Sequence, residues 1–267
     1  MMKTVIISCL VFGLLTFFSC KKVINVDINN ASSQIVITGE VTNASGPYTV
    51  SISSTVNFSA DNNFPSVSGA LVIISDNYGL KDSLSEISPG VYATHTYWHG
   101  QPGNIYTLNV SSSGKNYTAV SPMPQPVNLD SVSFQQSLRG GGKRVIEAVA
   151  NFQDPAGVAN YYQFAESIND TVLNKVFIFS DRLSDGKYIS QALDDDSTDL
   201  ENGNQLTFSM YCIDENVYQY LYELRQLQDA NPFNEATPAN PDSNISGGAL
   251  GYFSAHTIQT KQLTVHL

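Results

Sequence analysis

From Gln34 to Val120 the chain breaks into short runs of β-branched and aromatic residues separated by turn formers, and this rhythm confines it to sheet-on-sheet architectures. Gln34–Thr42 and Pro47–Ser54 flank Asn43-Ala44-Ser45-Gly46; Val67–Ser75 and Leu80–Ile87 flank Asp76-Asn77-Tyr78-Gly79; Ser88-Pro89-Gly90 turns into Val91–Trp98. Ile105–Ser111 alternates, with Tyr106, Leu108 and Val110 on one face, and a Ser-Gly-Lys turn leads to Asn116–Val120. These runs make about seven strands, each able to bury one face, so a second sheet must cover the first. Only Cys9, Cys20 and Cys212 are available for cross-links, and the first two lie near the N-terminus. The core must therefore hold by burial, for which 42% apolar and 10% aromatic residues are sufficient.

The alternating prolines of Ser121-Pro122-Met123-Pro124-Gln125-Pro126 fix φ and favour an extended backbone, which reads as a semi-rigid linker. Beyond it the strand pattern resumes. Candidate strands are Lys143–Gln153, with Ile146, Ala148, Ala150 and Phe152 on one face, Asn160–Ile168, Thr171–Phe179, Lys187–Leu193, Gln205–Ile213, Gly251–Thr260 and Gln262–His266. Arg139-Gly140-Gly141-Gly142-Lys143 lacks the ending of a phosphate loop and reads as a hairpin turn. Asp214–Gln228 differs: Val217, Tyr220, Leu221, Leu224 and Leu227 share one helical face, Asp214 can cap it and Pro232 can stop it. The expected fold class is all-β with a minor helical part. An Ig-like β-sandwich over 34–120 and a linker over 121–126 precede a second, mostly antiparallel β domain over 127–267 that carries one amphipathic helix near 214–228.

The first 19 residues form a basic start, an uncharged apolar run from Thr4 to Phe18 and a small residue, Ser19, directly before Cys20. That order describes a secretory signal, and the run is shorter than the roughly 20 apolar residues of a membrane span. The cysteine at the cut makes the segment resemble a bacterial lipoprotein signal, which implies cleavage before Cys20, a covalent lipid on Cys20 and a tether over 20–33. An ordinary cleaved signal with an incidental cysteine is the alternative. Removing Lys3 with the signal leaves 12 Lys and Arg against 24 Asp and Glu, a net charge of −12. A chain this acidic is a poor partner for nucleic acid.

Gly69-Ala70-Leu71-Val72-Ile73, Gly90-Val91-Tyr92 and Gly103-Asn104-Ile105-Tyr106-Thr107-Leu108 are similar to the small transthyretin-like sandwich modules, which implies a spacer or docking role. A more extended likeness covers nearly the whole chain. Asn240-Pro241-x-Ser-Asn244-Ile-x-Gly247-Gly248-Ala-Leu-Gly251-Tyr252-Phe253, together with Gly39-Glu40-Val41-Thr42, Asp181-Arg182 and Asp185-Gly186-Lys187-Tyr188, closely resembles the lipoprotein family called domain of unknown function 4249, found in Bacteroidota. The resemblance implies a non-enzymatic protein anchored by lipid to the outer-membrane bilayer, as an accessory or ligand-binding partner of a TonB-dependent receptor in nutrient uptake. Either face of that membrane is compatible with Lys21 and Lys22 after the cysteine. A structural or adhesive envelope protein is the alternative, and a glycan or peptide hydrolase the third reading.

No Gly-x-Ser-x-Gly elbow, His-Glu-x-x-His motif or cysteine pair supplies a catalytic or zinc signature, so neither catalytic residues, nor a metal, nor a cofactor beyond the lipid is expected. On a strand, His95 and His99 would share a face, yet no third ligand stands near them in sequence. The acidic run from Asp194 to Glu201 reads as a solvated loop or a calcium site. The loop holding Asn240, Pro241, Asn244, Gly247, Gly248, Gly251, Tyr252 and Phe253 is the expected binding element; alternatively its Asn, Pro and Gly only set the backbone. Ser83, Ser131 and Thr171 sit in short patterns resembling O-glycosylation acceptors of exported proteins.

Overall fold

The computed structural model describes residues 33–56, 63–193, 200–228 and 239–266. The signal segment, Cys20, most of the tether and the acidic run 194–199 lie outside the described residues. The strands are β1 (Ile35–Thr42), β2 (Thr49–Ser54), β3 (Leu71–Asp76), β4 (Lys81–Ser83), β5 (Ser85–Ser88), β6 (Val91–Ala93), β7 (Ile105–Ser112), β8 (Lys115–Pro122), β9 (Leu129–Arg139), β10 (Lys143–Gln153), β11 (Tyr161–Ile168), β12 (Thr171–Val172), β13 (Phe177–Ser180), β14 (Tyr188–Ala192) and β15 (Gln205–Ile213). The helix α1 (Glu215–Gln228) and a long last strand, β16 (Leu250–Thr264), complete the order. Among the described residues the fold is all-β with one α-helix, and its N-terminal part is an Ig-like sandwich.

That sandwich packs β5-β6-β2-β1 against β4-β3-β7-β8. Inward residues of both sheets, among them Ile37, Val50, Ile74, Tyr92, Tyr106 and Leu108, form one core. The Tyr48 hydroxyl lies 2.6 Å from the carbonyl of Thr42 and accepts from the N–H of Gly100, which pins the corner between β1 and β2. Val91–Trp98 is strand only as far as Ala93. The buried Asp82 carboxylate accepts from the side chains of Thr96 and Trp98 and faces His95, so residues 94–98 curl around it rather than extend.

The second core lies between β9-β10-β14 and the β11-β15 part of the large sheet, around Phe152, Tyr162, Phe164 and Phe208. Sequence patterning leaves β9 unassigned because its apolar signal is sparse: Leu129 is buried in the core and Val132 and Phe134 half-buried against it, while most of the strand is polar. Gly140–Gly142 does turn β9 back onto β10, and Gly141 supplies the positive φ of +80°.

The two cores share β16. Leu250 to His256 pair in parallel with Val36 to Thr42 of β1, and Thr257 to Thr264 pair antiparallel with β15. Ile245, Ala249, Phe253 and Ala255 thereby enter the N-terminal core, although the linker boundary assigns them to the second domain. The 121–126 stretch is also built in rather than bridging solvent. Ser121 and Met123 are buried, and the Ser121 hydroxyl accepts from Ala255 N–H and donates to the Asp214 carboxylate. Pro122 and Pro126 point outward, where a missing N–H costs nothing. Asp214 accepts from the N–H groups of Asn216 and Val217, capping α1 as its sequence position predicts. The helix buries Val217 and Leu221 on the opposite face of the large sheet, against Tyr161, Tyr211 and Tyr252.

Candidate functional site

Along β16 the odd residues Phe253 and Ala255 point into the N-terminal core, while Tyr252, Ser254 and His256 point to the other face. Alternation puts Thr38 and Glu40 of β1 on that face too, with Thr49 and Ser51 of β2 beside them. Across β16, Gln163 of β11 and Tyr211 of β15 complete a cavity of about 310 Å³ where the two modules meet. The Tyr220 ring of α1 packs 4.8 Å from the Tyr252 ring and supports the wall. Two segments from opposite ends of the chain, Gly39-Glu40 and Gly251-Tyr252, are thus brought together by the parallel pairing.

His256 is 5% exposed. Its Nδ1 is 2.9 Å from the Ser254 hydroxyl, its ring meets Tyr211 edge-on at 5.2 Å, and its Nε2 has no hydrogen-bond partner. Burial away from any carboxylate partner drives its pKa down to about 4, so the imidazole is neutral at pH 7. Glu40 reaches solvent, yet the protein around its carboxyl raises it above the usual carboxylate range. Burial, then the nearby Glu40 charge, pushes Tyr252 up to about 12. The cavity therefore offers an acidic edge, two tyrosine rings and a neutral imidazole. These suit a small molecule bearing hydroxyl or amine groups.

A pH effect on stability follows. Unfolded His256 titrates near 6.5 and the native residue near 4, so between those values the unfolded chain binds a proton that the native chain refuses. Stability is expected to fall as pH drops from 6.5 to 4, by about 1.4 kcal/mol per pH unit and about 3 kcal/mol in all. The raised Glu40 acts with the opposite sign, so the comparison is with His256→Asn, which keeps Glu40 and an acceptor for Ser254. Urea unfolding at pH 7 and pH 4.5 checks this; an equal pH loss in both proteins would contradict it.

The residues singled out in the sequence fare differently. Asn244 spends both ends of its amide on the backbone of Phe253, and Ser243 donates to the carbonyl of Gly251. Gly247 runs so close to β8 that a Cβ there would stand 2.7 Å from the carbonyl of Asn116. Gly248 and Asn240 are exposed, Pro241 is half-buried, and Phe253 is core. Tyr252 alone of that loop set lines the cavity. Ser83, Ser131 and Thr171 are exposed on β4, β9 and β12. His95 faces Asp82 with one ring nitrogen and Ser85 with the other, and the strand face it was expected to share with His99 does not form. Gln163, Tyr211, Ser254 and His256 escaped the sequence reading, and Glu40 stood there only within the Gly39-Glu40-Val41-Thr42 stretch, not as a site residue. The Tyr252-x-Ser254-x-His256 alternation was their one visible signal, and it does not reveal what lies across the strand.

The model of the family described as "Domain of unknown function (DUF4249)" matches residues 21–262. The chain belongs to the DUF4249 family. Among solved structures, the two-fibronectin-type-III-domain segment of chicken tenascin is similar at 10% identity and a TM-score of 0.24, covering 88% of this chain and all of that one. No curated protein matches the DUF4249 chain. Among the described residues, no helix is long and apolar enough to cross a membrane.

Proposed function

We propose that this DUF4249 protein is a non-enzymatic lipoprotein of the outer membrane, held by a lipid on Cys20, that binds a small polar ligand beside a TonB-dependent receptor. The observation that carries the binding role is the β1–β16 cavity, lined by Glu40, Tyr211, Tyr252 and His256. The same geometry speaks against hydrolysis: an imidazole drawn down to about 4 is a weak base for activating Ser254. The anchor rests on the Ser19-Cys20 junction. Several acyl chains at about 0.8 kcal/mol per buried methylene hold a domain on a bilayer.

Two measurements test this reading. Metabolic labelling with palmitate is expected to mark the parent chain and leave Cys20→Ala unlabelled; equal labelling of both removes the anchor. Extraction in mild detergent followed by affinity purification is expected to bring down a receptor in stoichiometric amount. Loss of the receptor with retention of surface polymer would favour the structural or adhesive role.

A further inference from the structure

Away from that cavity, two turns meet at a cluster of three aspartates. Asp154 follows β10, Asp181 follows β13, and Asp185 precedes Gly186; one carboxylate oxygen from each lies within 4.8 Å of the others. Asp154 and Asp181 are 1% and 3% exposed, and Asp185 stands at the solvent side. Among the described residues no Lys or Arg forms an ion pair with any of them. Their hydrogen bonds come from neutral donors: Tyr162 hydroxyl and Gly186 N–H to Asp154, Asn160 N–H to Asp181, Gly157 N–H to Asp185. Burying carboxylates together without a counter-charge is costly, and the Asp181 carboxyl is raised by burial and by its two acidic neighbours.

A second observation comes from Asn160. It is 9% exposed, its N–H donates to the Asp181 carboxylate at 2.9 Å, and its carbonyl accepts from the Asp181 N–H. Its side-chain Oδ1, on this same residue knotted to Asp181, is buried with no partner at all. The turns are also forced together, since a Cβ on Gly186 would stand 2.7 Å from that of Ala156.

We infer that Asp154, Asp181, Asp185 and the Asn160 side-chain oxygen form a calcium site that clamps the 154–160 turn to the 181–187 turn. The donor set is all oxygen and mostly anionic, which selects a hard cation over zinc or copper. Calcium holds its ligands at about 2.4 Å, so two ligands of one ion stand no more than about 4.8 Å apart, a limit that the three carboxylate oxygens satisfy. Water fills the remaining positions on the Asp185 side. The site departs from the sequence reading, which expected no metal and looked for calcium only in the 194–201 run.

The test uses the mature chain in detergent, stripped with chelator and titrated with Ca²⁺ alone. Tb³⁺ is expected to bind and to luminesce on tyrosine excitation, because the Tyr162 hydroxyl touches Asp154, and Ca²⁺ is expected to displace it. Extracellular calcium modules bind at about 10⁻⁴–10⁻³ M, so Ca²⁺ at about ten times Kd should raise Tm by about 3–6 °C, and Mg²⁺ by much less. Asp185→Asn, on the exposed side, and Asn160→Ala should each weaken Ca²⁺ binding about tenfold or more while the apo proteins still fold. No Tb³⁺ signal and no Ca²⁺ shift in the parent would overturn the site. So would equal stabilisation by Mg²⁺, or undiminished Ca²⁺ binding in both variants, which would move the ion to other acidic groups.

Discussion

Replacing Gly251 by alanine is expected to cost about 4 kcal/mol or more and to leave much of the protein unfolded at room temperature. Gly251 has φ of +90°, and a Cβ there would stand 2.1 Å from the carbonyl oxygen of Ile37, on the strand with which it pairs. Neither the torsion nor the contact can relax without parting β1 from β16, and both cores depend on that seam. Gly248→Ala is the control, since its φ of +79° is similar but nothing lies within 4 Å of its added carbon. It should cost about 1 kcal/mol from torsional strain alone. Chemical denaturation of the two variants reads the difference; comparable losses would mean that strain, and not the approach of β1, governs the position.

A fragment of residues 34–126, the expected sandwich over 34–120 with the 121–126 stretch attached, is expected not to fold by itself. It lacks Phe253, Ala255, Ile245 and Ala249, which close its core, and β1 would present an unpaired edge from Val36 to Thr42. Loss of a buried phenylalanine alone costs about 3–5 kcal/mol, a large share of the 5–15 kcal/mol that holds a domain. Adding a peptide of residues 243–258 in trans should restore dispersed amide resonances and a cooperative unfolding transition. A fragment as cooperative and as stable as the whole chain would show that β16 merely leans on a finished sandwich.

How much was visible beforehand can be judged from particular elements. Ile105–Ser112 was legible because one-face burial writes alternation into the sequence, and Lys143–Gln153 because Ala148, Ala150 and Phe152 keep an apolar face, although Glu147 and Val149 on the other are buried too. Asp214 announced α1 because a cap must sit just before the first turn, and Val217 and Leu221 fell on the buried face. The mostly polar β9 was invisible, because Leu129, Val132 and Phe134 are too few to write an apolar pattern and the strand is held along its length by pairing with β10.

Local spacing, then, determined which segments are strand, turn or helix, and it placed a cysteine where a lipid anchor would be fastened. It could not determine that the last strand returns beside the first, because pairing across more than 200 residues leaves no periodic trace in either partner. Tertiary structure alone decided that meeting. With it came the gathering of Glu40, Tyr252 and His256 around one cavity and the burial of Ser121 against Asp214. The knot of Asp154, Asp181 and Asp185 arose in the same way, since side chains from separate turns become neighbours only when the sheets beneath them are packed.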